Sequence, residues 1–461
     1  MPNIERIKKY KNIHMIGIGG VSMSGIAEIL LNWGFSVSGS NNVDSEILHI
    51  LNKAGITTFV GHEAQNVIGA DCVIYTAAIH EDNPELVQAK TLGIPVIERS
   101  DFLGELTRCY ENTIAVSGTH GKTTTTSLVS LCFLEAMRDP SIQVGALIKE
   151  LDGNYRVGNT EDFIIEACEY VESFLKFSPK SAIILNIDND HLDYYKNMEN
   201  VKKAFIKYVE LLPEDGHLII NADDSNCLDL PVFSKAHAIK YGIENDDVDF
   251  RAENITFDEN GFPEFDCYKY NEFYAHFKLS IPGKHNVLNA LSCIALCDAY
   301  GISAEHIKNA FQKFTGADRR FQYKGIVNGA KIYDDYGHHP TEVNAVAKAL
   351  NNKKFNKSWV VFQPHTYSRT FNHLSDFASA LLNFDNIIVT DIYAAREINT
   401  YNISSKDLVD AIVKLGKNAM YISSLEDCAS YLKQNISKDD IVLTLGAGTV
   451  TQIGEMLIKK K

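Results

Sequence analysis

The sequence predicts an α/β protein made of three domains in series, each built on a mainly parallel sheet. Three observations carry this prediction. At 461 residues the chain exceeds what one hydrophobic core normally organises, so several domains are expected. Short apolar runs typical of buried strands alternate with stretches of helical spacing along three blocks. Two glycine-containing turns each follow such a strand and open a helix.

The first block covers residues 1–108 and opens with a strand, a glycine turn, a helix and a second strand. The first strand is predicted at 14–18, the turn reads "GGVSMSG", the helix "IAEILLNWG" and the second strand "FSVSGSN". Further buried strands are predicted in "DCVIYTAAI" and "IPVIER". This βαβ opening is typical of a Rossmann-like, doubly wound domain.

The second block covers residues 109–316. It begins with the strand "NTIAVSG", a loop, and a helix predicted at 122–136. "DFIIEACEY" and "SAIILNID" are predicted buried strands with polar ends, at the edge where open α/β sheets place ligands. Residues 246–279 alternate between charged and aromatic side chains, which predicts antiparallel hairpins before a helix in "PGKHNVLNALSCIALCDAYG". We interpret this block as a P-loop ATPase-like domain.

The third block covers residues 317–461 and repeats the alternation of strands and helices. Strands are predicted in "KIYDDYG", "WVVFQPH", "NIIVTDIY" and "IVLTLGAGT", with one of the intervening helices at Pro340 to Asn351. A second Rossmann-like domain is therefore expected.

Charge and hydropathy narrow the classes of function. Lys and Arg number 44 against 59 Asp and Glu, and the net charge of -15 argues against unspecific nucleic-acid binding. No apolar run approaches the roughly 18 residues of a membrane span, and the N-terminus lacks the apolar core of a signal peptide. We expect a cytoplasmic protein without membrane insertion, as a monomer or a weak homodimer.

The nine cysteines contain no C-x-x-C pair. We interpret them as small apolar residues of the core. Cys293 and Cys297, four apart on an alanine-rich helix, lack the His or Asp partners of a usual zinc site, so core packing is expected there as well.

The N-terminal glycine turn "GIGGVS" places Gly17, Gly19 and Ser22 in a G-x-G-x-x-S pattern between a strand and a helix. Backbone N–H groups at such a helix start favour an anion. A dinucleotide-binding domain would carry Asp or Glu about 20 residues further on, where this chain has Asn41. Two alternatives therefore remain: the turn holds a nucleotide by its diphosphate, or it has a purely structural role.

The loop in "TIAVSGTHGKTTTTSLVSL" resembles a phosphate-binding loop shortened at its start. The usual pattern has a glycine five residues before the Gly-Lys pair, whereas Val116 stands there and Gly118 comes two positions late. The backbone from Gly118 to Thr124 can still surround a triphosphate. Lys122 would lie along the β- and γ-phosphates, and the Thr123 hydroxyl would ligate magnesium.

Acidic residues at two neighbouring strand ends extend this site. Glu166 ends one strand, and "NIDNDHLDYY" follows the next with Asp188, Asp190, His191 and Asp193. His191 could bind a second cation that clamps the transferred phosphoryl group. The alternative is that these polar residues only cap strand ends.

These motifs together resemble one family. The loop is similar to the G-T-x-G-K-T-[ST] loop of the Mur ligases, ATP-dependent amino-acid ligases of peptidoglycan precursor synthesis. The resemblance continues, in order from residue 14 to residue 370, through "HMIGIGGVSMSGIAE", "AIHEDNPE", "NIDNDHLDYY", "PGKHNVLNALS", "RRF", "DDYGHHPTEV" and "FQPHTYSRT". Within the family, the first of these and "DDYGHHPTEV" are similar to the member that adds the first amino acid.

The resemblance implies substrates, cofactors and a mechanism. ATP would phosphorylate the lactyl carboxylate of UDP-N-acetylmuramate, and the amine of L-alanine would attack the acyl phosphate. ATP and two Mg²⁺ ions are the implied cofactors. Arg319 and Arg320 would contact phosphate or acyl phosphate as fork-shaped donors.

The resemblance also implies a set of site residues. The implied catalytic residues are Lys122, Glu166, His191 and Arg319, and the implied metal ligands are Thr123, Glu166 and His191. The implied ATP contacts are Gly118, Thr119, His120, Gly121, Lys122, Thr123, Thr124, His285, Asn286, Asn289 and Asp335. The implied UDP-sugar contacts are Gly17, Gly19, Gly20, Val21, Ser22, Ser40 and Asn41. The implied amino-acid contacts are His338, His339, His365 and Arg369.

The chain departs from the family pattern at three places. "EACEYVESFL" stands where many members read E-A-D-E-S-D-x-S-F-L, so Cys168, Tyr170 and Val171 differ. Asn41 replaces an Asp near the uracil, and Thr366 replaces an Arg. Glu166 and Glu169 are retained, so we expect metal binding to survive the first change. We expect Arg369 to contribute more of the binding of the alanine carboxylate, because Thr366 replaces the arginine.

Four other functions are considered. A recycling ligase that adds a preformed murein peptide to UDP-N-acetylmuramate would share nearly all motifs, although "GIGGVSMSG" favours the alanine enzyme. A folate polyglutamate ligase would not need the first block. A nicotinamide oxidoreductase would leave Lys122, Glu166 and His191 without a role. A non-catalytic binding protein is disfavoured because no predicted metal or phosphate ligand is missing.

Overall fold

The computed structural model describes residues 2–351, 353–395 and 397–458, with the side chains of Asp193 and Asn351 outside the description. Residue contacts divide the chain into two compact units. The first extends to Ala252 and includes Cys267–Ala275 and Leu288–Lys313. The second contains Glu253–Asp266, His276–Val287 and the chain from Phe314 onward. The boundaries 1–108, 109–316 and 317–461 stay predictions.

The N-terminal sheet has five parallel strands in the order β3-β2-β1-β4-β5, which confirms a doubly wound domain. The strands are β1 Asn12–Ile16, β2 Ser36–Asn41, β3 Thr57–Val60, β4 Cys72–Tyr75 and β5 Val96–Glu98. The helices are α1 Val21–Asn32, α2 Glu46–Ala54, α3 Pro84–Thr91 and α4 Arg99–Thr107. Strand β1 ends before the predicted 18 because Gly17 turns the chain at φ 83°.

The central sheet contains the phosphate loop. The strands of this sheet that lie in the first unit run in the order β12-β11-β10-β6-β9-β7-β8. They are β6 Asn112–Ser117, β7 Ser141–Ile148, β8 Gly153–Arg156, β9 Asp162–Glu166, β10 Ser181–Ile184, β11 His217–Asn221 and β12 His237–Gly242. The helices are α5 Lys122–Glu135, α6 Leu192–Tyr195, α7 Met198–Val209, α8 Lys284–Ala299 and α9 Ala304–Lys313. Strands β6, β9 and β10 are parallel neighbours, so their carboxyl ends share one edge.

The segment predicted as hairpins forms three strands adjacent in the sheet, as hairpins require. They are β13 Phe250–Phe257, β14 Pro263–Lys269 and β15 Glu272–Lys278. The antiparallel pair β7 and β8 was not predicted. Its residues carry no strict alternation of polar and apolar side chains, which is the signal that predicts such a ribbon.

The C-terminal sheet has six strands in the order β16-β17-β21-β18-β19-β20, with β16 antiparallel and the others parallel. The strands are β16 Gln322–Val327, β17 Ala330–Asp335, β18 Ser358–Phe362, β19 Asn386–Val389, β20 Ala419–Tyr421 and β21 Ile441–Leu445. The helices are α10 Pro340–Asn351, α11 Tyr367–Asn372, α12 Leu374–Leu381, α13 Ser405–Lys414, α14 Leu425–Asn435 and α15 Thr451–Ile458. The three-domain α/β class is confirmed.

The nine cysteines are all free thiols. Eight of them are buried, as expected of small apolar residues, but Cys168 is exposed, and the core interpretation is wrong for it. Across the described part of the chain, no helix combines the length and the apolar character needed to cross a membrane.

A buried polar network holds the end of β2 in the N-terminal domain. Glu85, with no exposed side-chain surface, accepts the hydroxyl of Ser40 at 2.5 Å and the amide of Asn66 at 2.6 Å. His62 and His14 lie 3.1 and 3.7 Å from the same carboxylate. Burial raises the pKa of Glu85, but the hydrogen bonds from His14, Ser40 and Asn66 outweigh it and lower the pKa to about 2.

We predict that Glu85→Gln lowers the free energy of unfolding by about 3 kcal/mol, since it leaves buried partners without their charged acceptor. Because the folded pKa is depressed, the contribution of Glu85 is present above its unfolded value near 4.5 and is lost as pH falls towards 2. Urea unfolding of both proteins between pH 3 and pH 7 measures this, with the surface variant Glu105→Gln as control. Equal stability of wild type and Glu85→Gln at pH 7 would contradict it.

Candidate functional site

The N-terminal glycine turn lies between β1 and α1. The N–H groups of Gly17 and Ile18 donate to the Ser40 carbonyl at 2.8 and 3.0 Å, which ties the turn to the end of β2. A Cβ on Gly19 would lie 2.9 Å from the Asn41 side chain. A side chain at position 19 would therefore displace Asn41, which lies directly beside the turn.

Several predicted UDP-sugar contacts already have protein partners. The Ser22 hydroxyl accepts from Gln143 at 2.7 Å, and the Val21 carbonyl accepts from Asn154 at 3.0 Å. The Ser40 hydroxyl is buried against Glu85. Helix α1 follows Gly20, its N-cap, which has no side chain to satisfy the first N–H groups. The UDP-sugar roles stay predictions, carried by the turn backbone and Asn41 rather than by these hydroxyls.

The phosphate loop adopts the conformation that its glycines allow. Gly118 and Gly121 have φ values of 129° and 88°, a backbone region that other residues rarely enter. Asn186, just beyond β10, holds the loop from outside: its side-chain oxygen accepts the His120 N–H at 2.8 Å, and its amide donates to the His120 carbonyl at 3.0 Å. The Thr119 N–H donates to the Asn186 carbonyl at 3.1 Å. The shortened loop is thus braced by the neighbouring strand.

Lys122 is the first residue of α5, and its ammonium group points back into the loop. It donates to the carbonyls of Gly118 and Thr119 at 2.5 and 3.1 Å and to Glu169 at 2.9 Å. Burial lowers the pKa of Lys122, but the Glu169 carboxylate raises it more, and the net pKa lies above its ordinary value. The lysine is therefore a fixed positive charge inside the loop.

Glu169 lies between the lysine and the predicted metal ligand His191. One oxygen of Glu169 pairs with Lys122, while the other is buried without a hydrogen-bond partner and lies 3.8 Å from His191 Nε2. An unsatisfied buried carboxylate oxygen costs free energy unless a cation or donor reaches it. The sequence indicated Glu169 only as a retained residue of the metal-binding motif, and its buried oxygen is the observation that best fits a cation here.

Glu166 ends β9 as predicted, and its carboxylate accepts the Gly145 N–H at 2.6 Å. Asp188, predicted as a possible ligand, instead binds His120 Nε2 at 2.9 Å and, through its N–H, the Thr119 hydroxyl at 2.9 Å. Asp188 thus helps to hold the phosphate loop in place, as expected from the alternative in which the polar residues only cap strand ends.

The departures around Cys168 place an aromatic ring at the site. Tyr170 lies 4.6 Å from the His191 ring, centroid to centroid. Val171 adopts a positive φ of 50°, which is strained for a β-branched residue. Tyr170 therefore orients the imidazole where many relatives have a serine.

Helix α8 carries three predicted ATP contacts. Within the first unit, Asn289 is buried, and its side-chain oxygen would lie 2.7 Å from a Cβ on Gly121, so it lies against the loop. Within the second unit, Asn286 is buried and donates to the Pro282 carbonyl at 2.7 Å, while His285 is exposed beside Gly283. The Asn286 amide thus holds the chain just before the helix, and its role as an ATP contact stays a prediction.

Asp335 ends β17 in the second unit and is only 5% exposed. Its carboxylate accepts the N–H groups of Phe321 and Gly337, both at 2.7 Å. Burial raises the pKa of Asp335 to about 6, although Arg320 and the two N–H groups oppose the shift. A carboxyl group with a pKa of about 6 can accept a hydrogen bond from a sugar hydroxyl when it is ionised and donate one when it is protonated.

The Arg319 side chain contacts several groups of the protein. Its guanidinium donates to Asp334 at 3.2 Å and to the Gly446 carbonyl at 2.5 Å, and it lies 4.9 Å from the Tyr336 ring centroid. Arg320 lies 3.5 Å from Glu342 and over the same ring. The catalytic role of Arg319 stays a prediction.

The predicted amino-acid contacts gather at the ends of β17 and β18. His338 and His365 lie 5.5 Å apart between ring centroids, and Arg369 Nη1 lies 3.0 Å from His365 Nδ1. Glu342 accepts the N–H groups of His338 and His339 at 2.8 and 3.1 Å, which fixes the start of α10. The His365 imidazole and the Arg369 guanidinium therefore lie side by side at the place predicted to receive the amino acid.

Thr366 has a structural role. It has a positive φ of 64°, and its hydroxyl accepts the Arg369 N–H at 3.4 Å as the N-cap of α11. The threonine therefore orients the helix that carries Arg369, which is a function an arginine could not fulfil with its side chain.

We predict that Asp335 makes stability depend on pH. Because its folded pKa exceeds the ordinary value of 3.8, its stabilising contribution is present below about pH 4 and is lost as pH rises through about 6. Asp335→Asn removes this dependence. Urea midpoints measured from pH 4 to pH 8 test it, with exposed Asp246→Asn as control, and an equal decline in wild type and Asp335→Asn would contradict it.

The phosphate loop contains a lysine that is largely buried, and acidic strand ends lie beside it. These features define an α/β enzyme that handles phosphate groups. Three family models match the chain in order: "Mur ligase family, catalytic domain" at residues 12–111, "Mur ligase middle domain" at 116–297 and "Mur ligase, glutamate ligase domain" at 319–448. The chain belongs to the Mur ligase family.

Individual relatives agree with this assignment. The chain is 48% identical over 453 residues to a UDP-N-acetylmuramate–L-alanine ligase of Acetivibrio thermocellus, covering 98% of this chain and 97% of the relative. A UDP-N-acetylmuramate-alanine ligase from Thermotoga maritima has a similar structure, with a TM-score of 0.82, 30% identity and coverage of 97% and 98%. A murein peptide ligase from Psychrobacter arcticus matches with a TM-score of 0.72 at 22% identity, over 97% of this chain and 98% of that one, which shows the shared fold.

Proposed function

We propose that the chain is an ATP-dependent ligase that joins L-alanine to the lactyl carboxylate of UDP-N-acetylmuramate. The observation that carries this proposal is the near full-length identity of 48% to a relative with that named activity. The phosphate loop, with Lys122 held at its mouth, supplies the site for the triphosphate.

The chemistry follows from the poor reactivity of a carboxylate. A carboxylate oxygen attacks the γ-phosphorus of ATP, the bond to the β-γ bridging oxygen breaks, and ADP leaves. The amine of L-alanine then adds to the acyl phosphate, inorganic phosphate departs with the C–O bonding electrons, and the amine loses a proton. Lys122 neutralises charge on the transferred group throughout.

The residues near the loop fit a divalent cation. The Thr123 hydroxyl, Glu166 and the unsatisfied oxygen of Glu169 are hard oxygen donors of the kind Mg²⁺ prefers, and His191 lies beside Glu169. When bound, Mg²⁺ would neutralise phosphate charge. Thr123 and Glu166 would hold the ion shared with ATP, and Glu166, Glu169 and His191 would hold a second one.

The other substrates are assigned to separate parts of the chain. The turn of Gly17 to Val21 and the Asn41 amide would bind the UDP portion, since backbone N–H groups bind diphosphate and an amide can pair with a base edge. Asp335 would contact the ATP ribose. His365 and Arg369 would bind the alanine carboxylate.

Release of phosphate from ATP tests the proposal. Purified protein is incubated with ATP, magnesium and UDP-N-acetylmuramate, and either L-alanine or the recycling tripeptide is added in separate tubes. We expect release that requires both the sugar nucleotide and L-alanine, with a product heavier than the sugar nucleotide by one alanyl residue. Release with the tripeptide alone would make the chain a recycling ligase. No release from folded protein would overturn both assignments.

A further inference from the structure

Three cysteine sulfur atoms meet inside the first unit, away from the phosphate loop residues. Cys132 lies near the end of α5, and Cys293 and Cys297 lie on consecutive turns of α8. The Sγ atoms of Cys132 and Cys293 are 3.6 Å apart, those of Cys293 and Cys297 are 3.8 Å apart, and all three lie within 4.8 Å of one another. Each side chain has no exposed surface.

The spacing of the sulfurs corresponds to that of a metal thiolate site. Zinc–sulfur bonds of about 2.3 Å in tetrahedral geometry separate neighbouring sulfurs by about 3.8 Å, and a trigonal arrangement separates them by about 4.0 Å. Two of the three separations are already within 0.2 Å of the tetrahedral value. The helices therefore present a site that needs little rearrangement.

Two other buried cysteines have a different environment. Cys109 and Cys428 are also buried, and each donates its S–H to a backbone carbonyl, of Glu105 at 3.4 Å and of Ile422 at 3.6 Å. In the cluster the sulfurs instead interact with one another. A disulfide would need a bond of about 2.05 Å, so the helices would have to approach by well over 1 Å.

We propose that Cys132, Cys293 and Cys297 form a trithiolate site for a soft, closed-shell metal ion such as Cu(I) or Zn(II). Thiolates without nitrogen or oxygen partners select soft cations. Binding releases the three thiol protons to solvent and forms three metal–sulfur bonds. The bound ion would join α5, which begins with Lys122, to α8, which carries Asn289, and would stabilise the helix pair behind the phosphate loop.

Metal competition on the full-length, reduced protein tests the proposal under anaerobic conditions. Cu(I) is titrated in one arm and Zn(II) in another, each against a coloured chelator of known affinity. We expect one ion per chain in at least one arm, held at least about 100-fold more tightly by wild type than by Cys297→Ala or Cys132→Ala. Cys267→Ala, which removes a buried thiol outside the cluster, should bind as wild type does.

Thermal unfolding and ligase turnover show that each variant is folded before its metal affinity is compared. Binding in the copper arm alone indicates a trigonal site, and binding in the zinc arm indicates that a fourth ligand completes the set. Equal retention of metal by wild type and both cluster variants would overturn the proposal. Thiol counting that finds a Cys132–Cys293 disulfide and no metal in either arm would also overturn it.

Discussion

Replacing Lys122 with glutamine is expected to reduce ligation at least about 1000-fold while the protein stays folded. The lysine is the only side chain among the described loop residues 118–124 with a formal positive charge, and its ammonium group is already held by Gly118, Thr119 and Glu169. Without this charge, the phosphoryl group would transfer with no fixed compensation from the loop.

Glutamine is chosen over alanine because its amide can still donate to Glu169 and to the loop carbonyls, which limits the cost of a buried, unpaired carboxylate. Turnover is measured as phosphate release, and folding as the thermal midpoint. Lys176→Gln is the matched control, since Lys176 forms ion pairs with Glu98 and Asp101 in the same unit. Turnover of Lys122→Gln within tenfold of wild type would remove the lysine from the mechanism.

Replacing Arg369 with methionine is expected to raise the KM for L-alanine about 100-fold, with a much smaller change in the KM for ATP. Arg369 lies 3.0 Å from His365, and the Thr366 cap orients the helix that carries it. Methionine preserves most of the apolar stem and removes the charge that would bind the alanine carboxylate.

Initial rates over a range of L-alanine concentrations measure this effect. Arg6→Met is the control, because Arg6 is an exposed residue paired with Glu105. A variant whose KM values for alanine and ATP rise together would indicate a general disturbance of the second unit. An unchanged KM for alanine would assign the carboxylate to other residues.

Strong periodic signals predicted most of the fold. The helix expected at 122–136 is observed at Lys122–Glu135, and the helix expected from Pro340 to Asn351 has those bounds. Buried strands such as β6 and β18 were also predicted, because apolar runs between turn residues leave few alternatives. The β7–β8 pair was missed because its residues carry no strict alternation of polar and apolar side chains.

The candidate site was predicted in outline. The glycine and lysine positions of the loop follow from local backbone requirements, which a sequence displays directly. The brace formed by Asn186 and the pairing of Asp188 with His120 depend on β10 lying next to β6, so no local pattern indicated them. Glu169 was recognised as a retained residue of the metal-binding motif, but its pairing with Lys122 depends on the fold and was not predicted.

The sequence by itself determined the three-domain α/β class, the position of the phosphate loop and the family, because these depend on local periodicity and short motifs. Only the tertiary structure decided which carboxylate meets Lys122, how Thr366 and Ser40 are used, and that Cys132 joins Cys293 and Cys297. The physical reason is the same in each case. Hydrogen bonds, ion pairs and sulfur contacts depend on distances between elements, and a linear pattern does not contain those distances.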